Sequence, residues 1–255
     1  MLLAVDIGNT NILSGVFDGS KLIFTSSLAS DKKITSDQYA LLLDGISKLR
    51  GFNLNQVDGV IISSVVPELT GLIKDAIFEL TGINALVLGP GVKSGLRIKI
   101  DNPAQLGADL VAGAVGAVDK YPLPCFVIDL GTATKISVLD STGAFRGCTI
   151  SAGVGISLNA LSDAASLLPD IEINIPQCVA YGTNTISSMQ AGVILGNASM
   201  IDGMCDKIEE FLGEKVSSIV ATGGYADNII KYCNRHIHSE PELILHGLRV
   251  IYGKN

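Results

Sequence analysis

Apolar residues come in short runs over positions 2–8, 12–17 and 21–28, divided by Gly8-Asn9 and Asp18-Gly19. Short apolar runs closed by turn residues read as strands, so the chain opens as a three-stranded meander. From Ser36 the period changes. Tyr39, Leu42, Leu43, Ile46 and Leu49 recur at helical spacing until Gly51 stops them. Val57 to Val66 then reads as a buried strand ending at Pro67, residues 68–81 as a helix stopped by Gly82, and Ala85 to Leu88 as another strand. The order is β-β-β-α-β-α-β.

The second half replays that order. Strands are predicted over 125–130, 135–140 and 144–150, followed by a long helix from Ser187 to Leu212. A strand over Ser218 to Thr222, a helix through Tyr232, and a helix from His246 to Tyr252 close the chain. Between the halves, residues 104–120 read as a helix rich in small residues (Ala112, Gly113, Gly116), which suits close packing at an interface between domains or subunits. Tyr121-Pro122-Leu123-Pro124 marks the boundary. The expectation is an α/β protein of two duplicated domains, 1–120 and 121–255, each a mixed sheet flanked by helices.

Composition narrows the function. Hydrophobic residues make up 47% and charged residues 17%, which favours well-buried globular domains over disorder. No apolar run approaches the roughly 18 residues of a membrane span, and Asp6 interrupts the first one too early for a signal peptide. A cytoplasmic protein without a membrane partner is expected. Eighteen basic against 25 acidic residues give −7 with no basic stripe, which argues against nucleic acid as the main partner. ATP remains admissible, because backbone N–H groups and a metal can neutralise it locally. The five cysteines are odd in number with no C-x-x-C pair, so most of them read as small buried hydrophobes. His236-x-His238 has no third ligand near it in sequence.

The chemistry lies in a repeat. Val5-Asp6-Ile7-Gly8-Asn9-Thr10-Asn11 and Ile128-Asp129-Leu130-Gly131-Thr132-Ala133-Thr134 each leave an apolar strand through an aspartate, turn at glycine, and return as a strand. Such a hairpin suits phosphate: glycine admits backbone N–H groups, Thr and Asn add donors, and the aspartate can hold a hydrated Mg²⁺. Two copies facing one another would hold a nucleoside triphosphate. A charge at the end of an apolar strand also costs energy unless donors, metal or water satisfy it. Asp109 is a third carboxylate, at the start of an apolar helix, where it can accept a proton from an attacking hydroxyl; pairing with the helix dipole is its alternative meaning. Gly223-Gly224 after a buried strand offers backbone to a flat base. Gly153-Val154-Gly155 lacks the third glycine and the helix frame of a dinucleotide fingerprint, and no P-loop, GxSxG or HExxH is present.

Together these residues resemble the acetate and sugar kinase/Hsp70/actin superfamily and, within it, the type III pantothenate kinase family. The resemblance runs through Asp6-x-Gly-Asn-Thr-Asn11, Asn102-Pro103, Gly107-Ala108-Asp109, Asp129-x-Gly-Thr-Ala-Thr134, Gly182-x-Asn-Thr185, Met189-Gln-Ala-Gly192 and Ala221-Thr-Gly-Gly224 to the Gly247-Leu-Arg and Tyr252 ending. It implies two actin-like (ribonuclease H-like) domains and transfer of the ATP γ-phosphoryl to pantothenate, opening coenzyme A synthesis. It implies Asp109 as general base. Gly8, Asn9, Thr10, Asn11, Gly131, Thr132 and Thr134 would hold phosphates, with Gly223 and Gly224 at the nucleotide. Asp6 would stand near Mg²⁺, and Asp129 near a monovalent cation, K⁺ or NH₄⁺. The pocket would include Ile100, Gly107, Ala108, Leu110 and Thr185, completed across a homodimer interface.

The departures cluster. Leu110 stands where the family usually has Arg, and Ile100 where it usually has Tyr; losing the Arg removes a bidentate partner for a carboxylate. Lys135 follows Thr134 where a second Thr is common, and would add charge near phosphate. Gly147-Cys148-Thr149-Ile150-Ser151-Ala152-Gly153 replaces the family's Gly-Gly-x-Ile-x-Pro-Gly. The other readings are a kinase for a different small hydroxylated acid and a weakly active accessory or regulatory relative. Retention of Asp6, Asp109, Asp129 and Thr132 favours an enzyme.

Overall fold

The computed structural model describes residues 1–175 and 177–255. Its backbone divides into two units, one of Met1–Leu96, Asp101–Asp119 and Leu243–Asn255, the other of Arg97–Ile100 and Lys120–Glu242.

In the first unit, strands β1 (Leu2–Ile7), β2 (Asn11–Asp18), β3 (Lys21–Ala29), β4 (Gly59–Ser64) and β5 (Leu86–Val87) form a sheet in the order β3-β2-β1-β4-β5. The meander is antiparallel, while β4 runs parallel to β1 and β5 parallel to β4. Parallel pairing needs crossovers, which helices α1 (Ser36–Leu49) and α2 (Pro67–Thr81) supply. Thr35 and Gln38 form a capping box at the start of α1. Pro67 sits at the start of α2, whose end is Gly82 in the left-handed conformation at φ 72°. Leu3, Val5 and Ile7 alternate onto the helix face and pack with Val60, Ile62, Tyr39, Leu43, Leu69 and Ile73. Each such side chain contributes about 1.5–3 kcal/mol by leaving water.

The second unit repeats the plan with β6 (Cys125–Leu130), β7 (Ala133–Leu139), β8 (Phe145–Ala152), β9 (Ser218–Thr222) and β10 (His238–Ser239). Read from β8, the order is β8-β7-β6-β9-β10, the same topology. The registers match: Asp6 lies beside Ser63 of β4, and Asp129 beside Thr222 of β9. Helix α5 (Thr185–Leu212), capped by Asn184 and ended by Gly213 at φ 71°, carries Val193, Ile194, Ile201 and Cys205 onto Phe126, Ile128 and Leu130. Helix α6 (Ala226–Ile229) and a 3₁₀ turn follow β9. Burial pushes the Cys125 thiol up to about 11 and the Cys205 thiol up to about 12, as for small core hydrophobes.

Three expectations need correction. Helix α4 (Val154–Ala164) follows β8 directly, so Gly153-Val154-Gly155 does open a helix; Leu158 still occupies the third glycine's place. The small-residue helix α3 begins at Ala108, after a 3₁₀ turn over Pro103–Gln105. Its glycines face the chain's own last helix, α7 (Leu243–Tyr252): a Cβ on Gly116 would stand 2.5 Å from the Leu243 carbonyl oxygen, and one on Gly247 would strike the carbonyl of Ala112. That packing puts residues 243–255 in the first unit, whereas sequence order places them in the second domain. The face of α7 opposite its charged residues, with Leu245, Leu248 and Ile251 fully buried, holds it on the first sheet.

Candidate active site

The first phosphate-type turn follows β1. Ile7 pairs with Ile12, leaving Gly8 to Asn11 as a four-residue connection closed by the Gly8 N–H donating to the Asn11 carbonyl at 3.0 Å. Asn9, Thr10 and Asn11 are exposed, and Asp6 is half-buried at the strand end. Ser30, which the sequence did not single out, braces this turn from the end of β3. Its hydroxyl donates to the Gly8 carbonyl at 2.6 Å, and its N–H donates to the Thr10 carbonyl at 2.9 Å.

Asp109 stands in the first turn of α3, half-buried, with Oδ1 accepting the Leu110 N–H at 2.8 Å. A Cβ on Gly107 would lie 2.5 Å from that Oδ1 and 3.8 Å from Val65 Cγ1. Val65 in turn donates its N–H to the Ile7 carbonyl at 3.0 Å, one residue before the phosphate-type turn. Asp109, Gly107 and the Gly8–Asn11 turn therefore share the carboxyl end of β1 and β4 within one unit. Leu110, next in α3, is half-buried.

The second turn is one residue shorter. Leu130 pairs with Thr134, so only Gly131, Thr132 and Ala133 connect β6 to β7. A Cβ on Gly153 would run into the carbonyls of Gly131 and Thr132, so the start of α4 backs this turn closely. Thr132 is exposed. Thr134 is not: it is 1% exposed, and its hydroxyl has no hydrogen-bond partner among the described residues. Directly paired residues share a sheet face, so Thr134 lies with Leu130 on the helix side, while Asp129 and Lys135 lie on the other. The expectation that Thr134 meets phosphate through its side chain is corrected accordingly.

Asp129 and Lys135 are cross-strand partners, and Lys135 Nζ lies 2.8 Å from Asp129 Oδ2 with both side chains 17% exposed. The carboxylate expected beside a monovalent cation thus faces an ammonium of its own chain. Gly223, at φ 97°, lets its backbone lie against Leu130, whose carbonyl accepts the Tyr225 N–H at 3.1 Å. From Gly224 and Tyr225 opens a cavity of about 670 Å³ within the second unit, lined also by Gly155, Asn159, Asp227 and Lys231. Thr185 is exposed at the start of α5, and Ile100 is half-buried at the end of the short 97–100 segment of the second unit.

Solved structures share this fold. A protein described as a Baf family transcriptional activator from Campylobacter jejuni aligns over 99% of this chain and 98% of its own, with a TM-score of 0.62 at 20% identity. An activator of 2-hydroxyisocaproyl-CoA dehydratase from Clostridium difficile, solved with ADPNP, aligns over 98% and 92% with a TM-score of 0.56 at 14% identity. Two helix-flanked mixed sheets of one topology, each with an aspartate and a glycine turn at the end of its first strand, define an α/β fold of two duplicated actin-like domains. The sequence model of the type III pantothenate kinase family matches residues 2–207. Type III pantothenate kinases from Shouchella clausii and Moorella thermoacetica are 40% and 38% identical over the whole of this chain and of their own. The chain belongs to the type III pantothenate kinase family, and is an ATP-dependent small-molecule kinase.

Proposed function

We propose that this chain transfers the γ-phosphoryl of ATP to the primary hydroxyl of pantothenate, giving 4'-phosphopantothenate, with Asp109 as the base. The position of Asp109 carries the reading: a half-buried carboxylate, accepting an N–H of its own helix start and lying close to Gly107, near a Gly8–Asn11 turn whose last three residues are exposed. Phosphoryl transfer asks little more of a protein than positioning and charge neutralisation, with one group to orient the hydroxyl and take its proton.

The parts fall into roles. Asn9, Thr10, Asn11 and Thr132 offer side-chain donors to phosphate oxygens, on turns that the Gly8 and Gly131 N–H groups close by bonding to the Asn11 and Ala133 carbonyls. Asp6 offers a hard oxygen at the strand end and suits a hydrated divalent ion. Bound with ATP, that ion neutralises charge on the phosphate oxygens. The cavity beside Gly224 is of ligand size and supports a place for base and ribose. A monovalent cation does not fit Asp129 in the same way, because Lys135 already pairs with it. Homodimerisation is supported by apolar side chains left on the second unit, where Ile150, Leu167, Tyr181 and Ile186 are exposed. Light scattering on a sizing column tests it.

ADP release from Mg-ATP, with and without pantothenate, tests the reaction. Pantothenate-dependent release, lost in Asp109→Asn by about 10²–10⁴-fold with ATP binding kept, is expected. ATP binding without any stimulation by pantothenate would favour a different small hydroxylated acid, which Leu110 in place of Arg would then explain.

A further inference from the structure

We infer that Lys135 is a tethered replacement for the monovalent cation at Asp129, so that this kinase works without K⁺ or NH₄⁺. The inference rests on the phosphotransferase reading of the site and concerns how its second carboxylate is neutralised.

The duplication puts the two carboxylates in one frame. Asp6 and Asp129 occupy the same place in matching sheets, each one residue before the end of its strand. Across the hairpin, Asp6 pairs with Leu13 and Asp129 pairs with Lys135. At the second carboxylate the neighbouring strand delivers an ammonium, at 2.8 Å and with most of both side chains out of water. Cross-strand partners are held by the ladder, so this pair does not depend on the chance meeting of two mobile side chains. A lysine ammonium is a compact point charge with three donors, close in charge and size to NH₄⁺ and K⁺. K⁺ needs several oxygens to replace its hydration shell, and here one carboxylate oxygen is already taken by a like charge. A second monovalent cation would stand beside the first. Asp129 Oδ1 lies 3.2 Å from where a Gly131 Cβ would stand, so the neutralised carboxylate lies directly under the Gly131-Thr132 turn.

The test compares KCl, NH₄Cl and tetramethylammonium chloride at one ionic strength, using the intact chain and two variants, Lys135→Thr and Lys135→Gln. Wild-type turnover should differ by less than about twofold among the salts, since ionic strength is fixed. Lys135→Thr should lose about tenfold or more in tetramethylammonium and recover in KCl or NH₄Cl. Melting of the Mg-ADP complex gives a readout independent of turnover. K⁺ should raise the melting temperature of the variants and leave the wild type unmoved, because only a ligand bound by the folded state stabilises it. K⁺ activation of the wild type by tenfold, or a K⁺-specific rise in its melting temperature, would overturn the inference. So would variants that stay fully active without K⁺. If neither variant folds, the wild-type salt series still decides. A chain that turns over no pantothenate in any salt refutes the proposed reaction instead, and the melting series still decides the role of Lys135.

Discussion

Gly107→Ala is a small change that should act almost entirely through Asp109. The new Cβ would stand 2.5 Å from Asp109 Oδ1, where ordinary contact begins at 3.4 Å, so the carboxylate must move by about 0.9 Å. Val65 Cγ1, at 3.8 Å from the same point, needs no adjustment. The bond from the Leu110 N–H at 2.8 Å fixes the present rotamer, and the displaced carboxylate would give it up. A misplacement near 1 Å costs about 10²-fold in rate, or about 2.7 kcal/mol of transition-state stabilisation. Stability should change by only about 1 kcal/mol or less, because Gly107 sits where α3 begins and its carbonyl, which accepts the Val111 N–H, is kept. Coupled ADP release should therefore show kcat down about a hundredfold with the ATP KM unchanged and the melting temperature within about 4 °C of wild type. The same substitution placed in Asp109→Asn should be nearly silent, since the group it displaces has already been disabled. A Gly107→Ala enzyme with wild-type kcat, or one whose effect simply adds to that of Asp109→Asn, would refute the reasoning.

Other predictions concern the frame. Glu209 is 4% exposed; the bond from Arg235 depresses its pKa from 4.5 to about 2 against the cost of burial, with Lys215 and the Val216 N–H assisting. A depressed carboxylate stabilises fully above its unfolded pKa and loses that contribution as pH falls toward the folded one. Glu209→Gln should thus cost roughly 3 kcal/mol at pH 7 by denaturant unfolding, and the gap from wild type should narrow between pH 4.5 and 2. Gly223→Ala forces a side chain into φ 97° with Leu130 backbone atoms 2.6 Å away, and should cost about 3 kcal/mol or more and weaken ADP binding. Gly224→Ala meets nothing within 4 Å and should cost under about 0.5 kcal/mol, so equal losses at both would sink the argument. Leu110→Arg should change the acceptor KM more than the ATP KM, measured by varying each substrate in turn.

Most of the frame was legible because its element ends carry their own chemistry. Pro67 and Gly82 mark the ends of α2 by backbone conformations that other residues supply poorly, whereas the Thr35–Gln38 capping box and Gly213 were not singled out in the sequence. The aspartate-glycine turns were legible for the same reason: a carboxylate ending an apolar strand is costly unless it is used. Features set by tertiary context were missed. Helix α4 begins among glycines that weaken its local signal, and the packing of Val154 and Leu158 on the second core helps to hold it. The membership of α7 is decided by the close fit of Gly247 against Ala112, across more than a hundred residues of chain. Thr134 was misplaced by the repeat itself. The two motifs align position for position from Val5 and Ile128, with the aspartate and the glycine in common, yet the second hairpin closes one residue earlier. A one-residue difference turns every following side chain to the opposite face, so Thr134 takes the buried place of Ile12, and Lys135 the place of Leu13.

That single residue bears on the chemistry as well as the geometry. Had the second connection kept the length of the first, Lys135 would point to the helix side and bury an ammonium among Ile128, Leu130 and Val193, at the cost of desolvating a charge. With the shorter turn, the same lysine falls opposite Asp129, and two charges that are each expensive at a buried strand end satisfy one another. Turn length and residue type therefore belong together: the shortened hairpin and Lys135 make sense as a pair and not separately. The two halves keep one topology and one carboxylate position, and differ in what stands across the hairpin. Leu13 stands opposite Asp6, whereas Lys135 stands opposite Asp129 and pairs with it. On that argument, lengthening the second turn by one residue should undo the Asp129–Lys135 pair as thoroughly as replacing Lys135.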